Sequence, residues 1–430
     1  MEIKLSDPIL VYAPKVTEEN SRWGVYAIPR MWREPNGDLV IRFNGEADSA
    51  DTENMFCAPN LYFVSKDNGR HWQPDEKGEK KHDISVLTGI DAPYLKCKNG
   101  DTLFLQYKKD ALPLKGVPHQ KEFVMPNREA IVRAYRYGDI PSECKGISLG
   151  RISAGGEASL EEITLDFPER EVLINSQALS GSEFVPVEEY VQPYIFKSPY
   201  FSSLQETQDG ALIALATGQN PAVSDHFSSE VYLLASTDGG KTFTKRSTVA
   251  SAAEGLPYGY GGDGGEVSLA VDKNGGLHAV MRMDMSLNPN EDSAKVWGTY
   301  YTASFDGGYT FEKPREIADS SVTPHILALG DALIVIYGRP GVHLKYSTDR
   351  GKNWSDSISI IGKTLSEERA DGRCDFDSKF GKSISYSNTF VEKISENEAI
   401  VCYNDLTYPD ENGIPTKAAF VRFITLLQDN

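Results

Sequence analysis

The sequence predicts an all-β protein, a six-bladed β-propeller built from four-stranded antiparallel blades. An eight-residue motif, Ser-x-Asp-x-Gly-x-x-aromatic, occurs four times. A hairpin motif, in which Asn-Gly or Asp-Gly usually separates two apolar segments, occurs six times and out of phase with the first motif. The chain also contains 37 glycines, 21 tyrosines and 18 phenylalanines, a composition that favours strands joined by tight turns.

The eight-residue motif, here called the box, has features of a turn between two strands. Its copies are SKDNGRHW (65–72), STDGGKTF (236–243), SFDGGYTF (304–311) and STDRGKNW (347–354). The glycine permits a positive φ, and the aspartate accepts hydrogen bonds from backbone N–H groups across the turn. The aromatic residue is expected to fold back under the hairpin. We therefore expect the boxes to be structural.

The hairpin motifs give the blade count. Their turns lie near residues 37, 100, 210, 275, 330 and 397. The long interval from 100 to 210 indicates an insertion in the second blade near 108–128, where three prolines argue against regular strand. Residues 153–157 resemble a decayed box. The sixth blade has no box, so a strand from residues 3–11 is expected to pair beside 418–426 and close the ring. We interpret residues 1–430 as one domain.

Composition excludes several function classes. The 430 residues carry a formal charge of −18, which argues against nucleic acid or an anionic membrane as the partner. The five cysteines are scattered without a CxxC pair, and the seven histidines show no ligand spacing, so neither a metal nor another cofactor is predicted. The N-terminus has no apolar segment of the signal-peptide type, which leads us to expect a cytoplasmic protein.

The face opposite the boxes holds the candidate chemistry. In a four-stranded blade the hairpin turns and the boxes share one face, so the remaining loops converge on the other face, where a propeller binds its ligand. Arginines, carboxylates and other polar groups are dense in those loops; a solvated charged rim is the alternative. The candidates there are Arg42, Asp48, Asp51, Asp91, Glu266, Arg282, His325, Arg339 and Tyr386.

The boxes on a six-bladed propeller resemble the sialidase (neuraminidase) superfamily over essentially the whole chain. The resemblance implies three arginines that hold a substrate carboxylate, a tyrosine nucleophile with a glutamate partner, and an aspartate acid/base. Glu266, in GGEVSLAVDKNGGLHAVMR, resembles the glutamate, and Tyr386, in Ser-Tyr-Ser-Asn, resembles the nucleophile. Arg282 and Arg339 resemble the second and third arginines, and either Asp48 or Asp51 fills the position of the acid/base.

The sequence departs from the family pattern at the first arginine. The family tripeptide Arg-Ile-Pro is Ala27-Ile28-Pro29 here, so one bidentate contact to a carboxylate is missing. The candidates to replace it are Arg30 and Arg42, although Arg30 is expected to point away from the side on which Ala27 points. The departure argues against sialic acid itself more than against the fold.

Three functions remain open from the sequence. The first is an exo-acting glycoside hydrolase of sialidase type that releases a terminal, acidic sugar. The second is a propeller glycosidase or lyase acting on another sugar through a carboxylate pair, such as Glu266 with Asp51 or Asp91. The third is a non-catalytic binding propeller. In the first two, the partner is a glycan, and Asp91 and His325 are further substrate-binding candidates.

Overall fold

A computed structural model provides the structure of the chain. The residues it describes are 2–13, 23–47, 60–75, 94–107, 118, 121–125, 130–136, 139, 147–166, 171–175, 177–180, 183–186, 200–219, 229–251, 266–284, 297–320, 322–338, 341–364, 366–367, 389–409, 411–413 and 415–427. No helix within these ranges has the length and apolar character needed to cross a membrane.

The described residues form strands, in agreement with the predicted all-β class. The first strands are β1 (Glu2–Leu5), β2 (Ile9–Tyr12), β3 (Trp23–Arg33), β4 (Leu39–Ala47), β5 (Asn60–Ser65), β6 (Gln73–Pro74), β7 (Tyr94–Lys96), β8 (Thr102–Tyr107), β9 (Lys121–Met125) and β10 (Ala130–Arg136). The next are β11 (Ile147–Ile152), β12 (Ala158–Asp166), β13 (Glu171–Asn175), β14 (Gln177–Ser180), β15 (Glu183–Pro186), β16 (Tyr200–Glu206), β17 (Leu212–Gln219), β18 (Ser229–Ser236), β19 (Thr242–Ala250) and β20 (Val267–Val271). The last are β21 (Leu277–Asp284), β22 (Trp297–Ser304), β23 (Arg315–Ala318), β24 (Val322–Leu329), β25 (Ala332–Gly338), β26 (Val342–Ser347), β27 (Ile358–Ile361), β28 (Phe390–Ser395), β29 (Glu398–Pro409) and β30 (Pro415–Leu427).

The chain divides into two compact units. Unit 1 comprises Met1–Asp83 and Ile317–Asn430, and unit 2 comprises Ile84–Glu316. The division falls within β23.

Unit 2 contains consecutive antiparallel sheets in which each strand pairs with the next. Strands β16, β17, β18 and β19 form one such sheet, and β20 to β23 form another. Strands β7, β8, β11 and β12 form a third, which joins the β16–β19 sheet because β12 pairs with β19 in parallel. Strands β9 and β10 lie between β8 and β11 in the chain and pair with β13 in a small separate sheet. Regular strand was not expected within 108–128, and β9 corrects that expectation for its five residues.

Unit 1 contains the sheets β3–β6, β24–β27 and β28–β30. The N-terminal strands complete the last of these, as predicted: β1 pairs with β30 through Ile3 opposite Leu426, and β2 pairs with β30 through Ile9 opposite Val421. Within the described residues, the sheets β3–β6, β20–β23 and β24–β27 have the predicted four antiparallel strands. The prediction is confirmed only in part, because β7, β8, β11, β12 and β16–β19 form one eight-stranded sheet with a parallel contact, and the sheet of β28–β30 has five strands.

The hydrophobic core lies between the faces of neighbouring sheets. In unit 1 the β24–β27 sheet packs on the β28–β30 sheet through residues such as Ile334, Leu344, Val401 and Ile424. In unit 2 the β16–β19 sheet packs against the β20–β22 strands on one face and against β8, β11 and β12 on the other. Because successive strand residues alternate between faces, the central strands of these sheets are apolar on both sides.

Each box forms the turn between the third and fourth strands of a sheet. In the second copy the Ser236 hydroxyl donates to Asp238 Oδ1 (2.7 Å) and accepts from the Gly240 N–H (2.9 Å). Asp238 Oδ1 also accepts from the Thr242 N–H (2.9 Å). The serines of the other copies, Ser65, Ser304 and Ser347, make the same pair of bonds. All four serines are at most 2% exposed, so the structural role predicted for the boxes is supported.

The box glycines meet two requirements at once. Gly240 has φ of 93°, and the glycines of the other three copies also have positive φ. A Cβ added to Gly240 would lie 2.5 Å from Leu149 of a neighbouring sheet, and one added to Gly69 would lie 2.5 Å from Ile400. The turn thus needs both the left-handed backbone and the absence of a side chain.

The segment 153–157 forms the corresponding turn between β11 and β12. The Ser153 hydroxyl accepts from the Glu157 N–H (3.1 Å), but Gly155 stands where a box has its aspartate. Asp101, from the β7–β8 turn, accepts from the Ala154 N–H (3.2 Å) and from Arg151 (2.7 Å). A carboxylate from a neighbouring hairpin therefore bonds the turn that a box aspartate would otherwise bond.

We predict that Ser236→Ala lowers the free energy of unfolding by about 1–3 kcal/mol, because the buried Gly240 N–H loses its acceptor. Ser153→Ala is the matched control. Its hydroxyl bonds an exposed turn, so the loss should stay below about 1 kcal/mol. Urea unfolding of both variants measures the difference, and equal losses would contradict a special role for the box serine.

The box aspartates should make the protein sensitive to acid. Backbone N–H bonds from Thr242 and the Ser236 hydroxyl lower the pKa of Asp238 to about 2, and the backbone N–H and side chain of Asn353 lower the pKa of Asp349 to about 2. Because these folded-state values lie below the ordinary 3.8, the stabilisation is present above about pH 4 and is lost as the pH falls towards 2. Melting temperatures recorded across this range should fall less steeply for Asp349→Asn than for the wild type.

Candidate functional site

The strand ends opposite the turns carry the predicted candidates. In the sheets that contain a box, the first hairpin turn and the box lie at the same end of the strands, because they join first to second and third to fourth strands. In unit 1 this proximity is direct: Arg33 donates both to the Gly37 carbonyl of a hairpin turn (2.7 Å) and to Asn68 of the box (2.8 Å). We therefore expect the candidate catalytic and binding residues at the opposite ends of the strands.

In unit 2 the structure brings together two predicted residues, Glu266 and Arg282. Glu266 immediately precedes β20, and Arg282 follows Met281, which pairs with Val267. The Arg282 N–H donates to the Glu266 carbonyl (3.0 Å), and its Nη1 donates to Glu266 Oε1 (2.8 Å). The Arg282 side chain is 15% exposed and the Glu266 side chain is 21% exposed, so the ion pair is partly shielded from solvent but still accessible to it. Its charge-assisted bond fixes the carboxylate at the strand end.

In unit 1 two predicted arginines lie side by side. Arg30 on β3 is directly opposite Arg42 on β4, so both side chains leave the same face of the sheet. Arg42 is 4% exposed and Arg30 is partly buried. Two guanidinium groups on one face create a local positive field within a chain whose net charge is −18.

A bulge sets the position of Arg30. Tyr26 pairs with Asn44 and Arg30 pairs with Arg42, so three residues of β3 stand opposite one residue of β4. The intervening residues are Ala27, Ile28 and Pro29, the tripeptide in which the family arginine is missing. Proline has no N–H to give to the strand ladder, which is consistent with its position in a bulge.

Three residues of unit 1 form what we call the inner-strand cluster: Arg30 on β3, His325 on β24 and Phe390 on β28. Each of these strands is the first strand of its hairpin-connected sheet. The Arg30 guanidinium carbon lies 5.5 Å from the centre of the Phe390 ring. The His325 ring lies edge-on to the same ring, with centroids 5.4 Å apart. His325 Nε2 donates to the Thr389 carbonyl (2.8 Å). A cation, an imidazole and an aromatic wall therefore meet at one place.

The backbone that carries His325 is strained. Val322 pairs with Gly338 and His325 with Ile336, so β24 contains one extra residue at this point. Thr323 within this bulge has φ of 43°, which is unusual for a β-branched residue. Thr389 holds it from the next sheet: its N–H donates to Thr323 Oγ1 (3.1 Å) and its hydroxyl donates to the Thr323 carbonyl (3.3 Å). Such strain persists only where surrounding contacts impose it, and it clusters at functional sites.

Five predicted residues lie outside the described residues. They are Asp48, Asp51, Asp91, Arg339 and Tyr386. Their roles, and the catalytic or binding roles of Glu266, Arg282, Arg30, Arg42 and His325, stay predictions. Within the described ranges, no group of three or more His, Cys, Asp or Glu side chains is arranged to hold a metal ion.

One further network looks like catalytic machinery but is buried. His278 Nδ1 lies 2.8 Å from the Tyr301 hydroxyl, and its Nε2 lies 3.0 Å from Asp272 Oδ2. This is the order carboxylate, imidazole, hydroxyl. His278 is 0% exposed and Tyr301 is 1% exposed. Asp272 begins the turn between β20 and β21, at the end of the strands where the boxes also lie. The tyrosine is not reachable by a substrate, so we interpret the network as structural.

Comparison with known proteins identifies one sequence repeat in this chain and solved structures with a similar fold. The family model described as BNR/Asp-box repeat matches residues 345–356, which include the fourth box. This chain contains a BNR/Asp-box repeat. The Asp-box repeat predicted from the sequence is thereby confirmed for its fourth copy. No curated protein matches the sequence.

Among solved structures, a protein of unknown function from Dyadobacter fermentans DSM 18053 is similar, with a TM-score of 0.59 and 15% identity over 99% of both chains. A mutant of the NanB sialidase from Streptococcus pneumoniae has a TM-score of 0.46 and 14% identity over 97% of this chain and 70% of that one. The GH93 α-L-arabinofuranosidase of Fusarium graminearum has 0.45 and 13% over 97% of each chain. Likeness at such identity concerns the fold and assigns no activity.

Sequence reasoning missed Phe390 and the pair Thr323 and Thr389. Phe390 lies four positions after Tyr386 in the segment Ser-Tyr-Ser-Asn-Thr-Phe, where strand alternation alone does not distinguish a core residue from a site residue. The Thr323–Thr389 contact joins residues 66 positions apart. The only local signal was Pro324, which disfavours a regular strand at that position.

We predict that His325 of this protein is neutral at pH 6. Burial, and secondarily the charge of Arg30, lowers its pKa to about 4. Because the folded value lies below the ordinary 6.5, the unfolded state binds more protons in between, and stability should fall as the pH drops from 6.5 to 4. Titration of the imidazole signals by NMR measures the pKa directly.

Two arginine variants separate the causes of this shift. Arg30→Met should raise the pKa of His325 while leaving it below 6.5, because burial is the larger cause. Arg33→Met, on the same strand but bonded to the hairpin turn, should leave it unchanged. An equal effect of both variants would contradict the assignment to Arg30.

Proposed function

We propose that this protein is a glycoside hydrolase that releases a terminal, acidic sugar from a glycan. The observation that supports it best is the Glu266–Arg282 pair, held at 2.8 Å at the strand ends opposite the turns and partly exposed. These are the two residues that the family resemblance selects as a catalytic glutamate and a substrate-binding arginine.

The proposed reaction proceeds through a covalent intermediate. Tyr386 attacks the anomeric carbon while Glu266 takes its proton, and Asp48 or Asp51 protonates the leaving oxygen. The same aspartate then activates the water that releases the sugar, so the anomeric configuration is retained. A neutral phenol suits this role because a carboxylate attached to the anomeric carbon of the sugar would repel a carboxylate nucleophile.

Arginines hold the substrate carboxylate in this proposal. Arg282 and Arg339 take the second and third family positions, and Arg30 with Arg42 compensates for Ala27. Arg282 also orients Glu266 through the bond between Nη1 and Oε1. Asp91 and His325 bind sugar hydroxyls. The proposal includes closure of the six sheets into one six-bladed ring and a single domain, with strands β1 and β2 completing the last blade.

A second candidate is a glycosidase or lyase on a non-sialic acidic sugar that uses a carboxylate pair, Glu266 with Asp51 or Asp91. The bulge at 27–29, with alanine at the position of the family arginine, favours it, since a tight three-arginine clamp is then absent. NMR observation of the first-formed product distinguishes the two. Retention favours the tyrosine mechanism, inversion favours a carboxylate pair acting through water, and an unsaturated sugar identifies a lyase.

Turnover of a panel of aryl sialosides, uronides and neutral glycosides tests the proposed function. We expect an acidic glycoside to be cleaved and Tyr386→Phe and Glu266→Gln each to lower kcat/KM by about 10²–10⁴-fold, as expected for loss of a nucleophile or a proton acceptor. Glu162→Gln, an exposed carboxylate on β12, is the matched control and should retain full activity.

Full activity of Tyr386→Phe on a cleaved substrate would show the tyrosine mechanism to be wrong. Binding of a glycan without turnover of any member of the panel would favour the non-catalytic propeller.

A further inference from the structure

The proposed function has His325 bind a sugar hydroxyl, and the hydrogen bonds of the inner-strand cluster indicate that Nδ1 is the atom that makes this contact. Nε2 is committed to the Thr389 carbonyl at 2.8 Å. Among the described residues, Nδ1 has no hydrogen-bond partner. A polar atom of this kind beside an arginine and an aromatic ring is what a binding site presents to a ligand.

The contact with Thr389 determines the chemistry of Nδ1. A backbone carbonyl only accepts hydrogen bonds, so Nε2 must carry a proton. A neutral imidazole carries one N–H, which leaves Nδ1 as an acceptor. Burial and the Arg30 charge, which together lower the pKa of His325 to about 4, keep the ring neutral at pH 7. Nδ1 therefore offers an acceptor to a hydrogen-bond donor of a ligand.

The orientation of the imidazole is fixed by the backbone on both sides. The one-residue bulge in β24 turns the strand just before His325, and Thr389 holds the positive-φ Thr323 through two hydrogen bonds. Bulges commonly re-aim a side chain beside an active site. A histidine that only filled space would not need a strained residue two positions earlier.

The neighbours of His325 limit the ligand. The Arg30 guanidinium repels an ammonium donor, which favours a neutral donor such as a sugar hydroxyl. The same guanidinium attracts a carboxylate, for which arginine supplies two parallel N–H donors. Phe390 contributes an apolar wall that is already in contact with both side chains.

We infer that His325 is a specificity-determining residue that accepts a hydrogen bond from a substrate hydroxyl through Nδ1, while Arg30 binds the carboxylate of the same acidic sugar. The inference rests on the proposed function in taking a sugar as the ligand. It holds whether the sugar is released by hydrolysis or by elimination, because it concerns recognition.

NMR of the full-length protein labelled with ¹⁵N in the histidine rings tests the inference at pH 7. The probes are glucuronate, galacturonate and N-acetylneuraminate, with glucose and galactose as neutral counterparts, and calorimetry measures binding of each. We expect His325 to show the tautomer protonated at Nε2, and its Nδ1 signal to move when an acidic sugar binds. The neutral sugars should bind at least about 10-fold more weakly, since they lack the charge-assisted contact.

Variants separate hydrogen bonding from packing. His325→Phe removes the acceptor and should weaken binding of the acidic sugar by about 10- to 100-fold. His325→Gln keeps an N–H for Thr389 and an oxygen acceptor, and should stay within about 5-fold of the wild type. His343→Gln is the control, because His343 also donates Nε2 to a backbone carbonyl (Lys363, 3.1 Å) but lies outside the cluster.

The outcomes separate the inference from the proposed function. An acidic sugar that binds without moving the Nδ1 signal, or that binds His325→Phe as tightly as the wild type, overturns the inference alone. Equal binding of neutral and acidic sugars overturns the role of Arg30. Absence of binding by every probe overturns both the inference and the proposed function. The wild-type spectra decide the first point even if a variant fails to fold.

Discussion

A buried serine hydroxyl in each box turn is the contact on which the sheets depend. It donates to the aspartate of the turn and accepts from the glycine N–H, in bonds of 2.7 to 2.9 Å in all four copies. Without it, a backbone N–H would be buried without an acceptor at the point where the glycine packs against a neighbouring sheet. The turn and the sheet-to-sheet packing therefore share one polar contact. Because the turns lie at one end of the strands, the opposite end is where residues such as Glu266 and Arg282 lie.

The features predicted correctly from the sequence are those encoded locally. Asn-Gly turns need positive φ within a few residues, and Gly37, Gly100 and Gly275 all have it. The box pattern is equally local, and counting the hairpin motifs and boxes predicted which strands pair within each sheet. The absence of a box after the sixth hairpin predicted the pairing of β1 with β30. The strand β9 was not anticipated, because nearby prolines weighed against it while its pairing with β10 depends on residues further along the chain.

The candidate site was predictable only in part. Glu266 and Arg282 flank a single hairpin, so the spacing that selects them also brings them together. Arg30 and His325 could be named, but their meeting at Phe390 could not. It depends on two bulges and on Thr323, whose φ of 43° the sequence does not predict. Pro324 indicates only that the strand is irregular at this point. Alternation along an unbroken strand, the basis for expecting Arg30 to point away from Ala27, does not apply across a bulge of this kind.

The pairing of β30 with both N-terminal strands has a consequence for the order of folding. Ile3 and its partner Leu426 are separated by nearly the whole chain, so this contact carries a large loop-closure entropy and cannot form early. During synthesis, residues 2–12 emerge long before residues 415–427, with which they pair. Until then the last sheet of unit 1 has an unpaired edge, which is the surface on which β-proteins aggregate or exchange strands. Slow synthesis would lengthen the time that this edge stays unpaired, whereas a low concentration of the chain would reduce pairing between molecules.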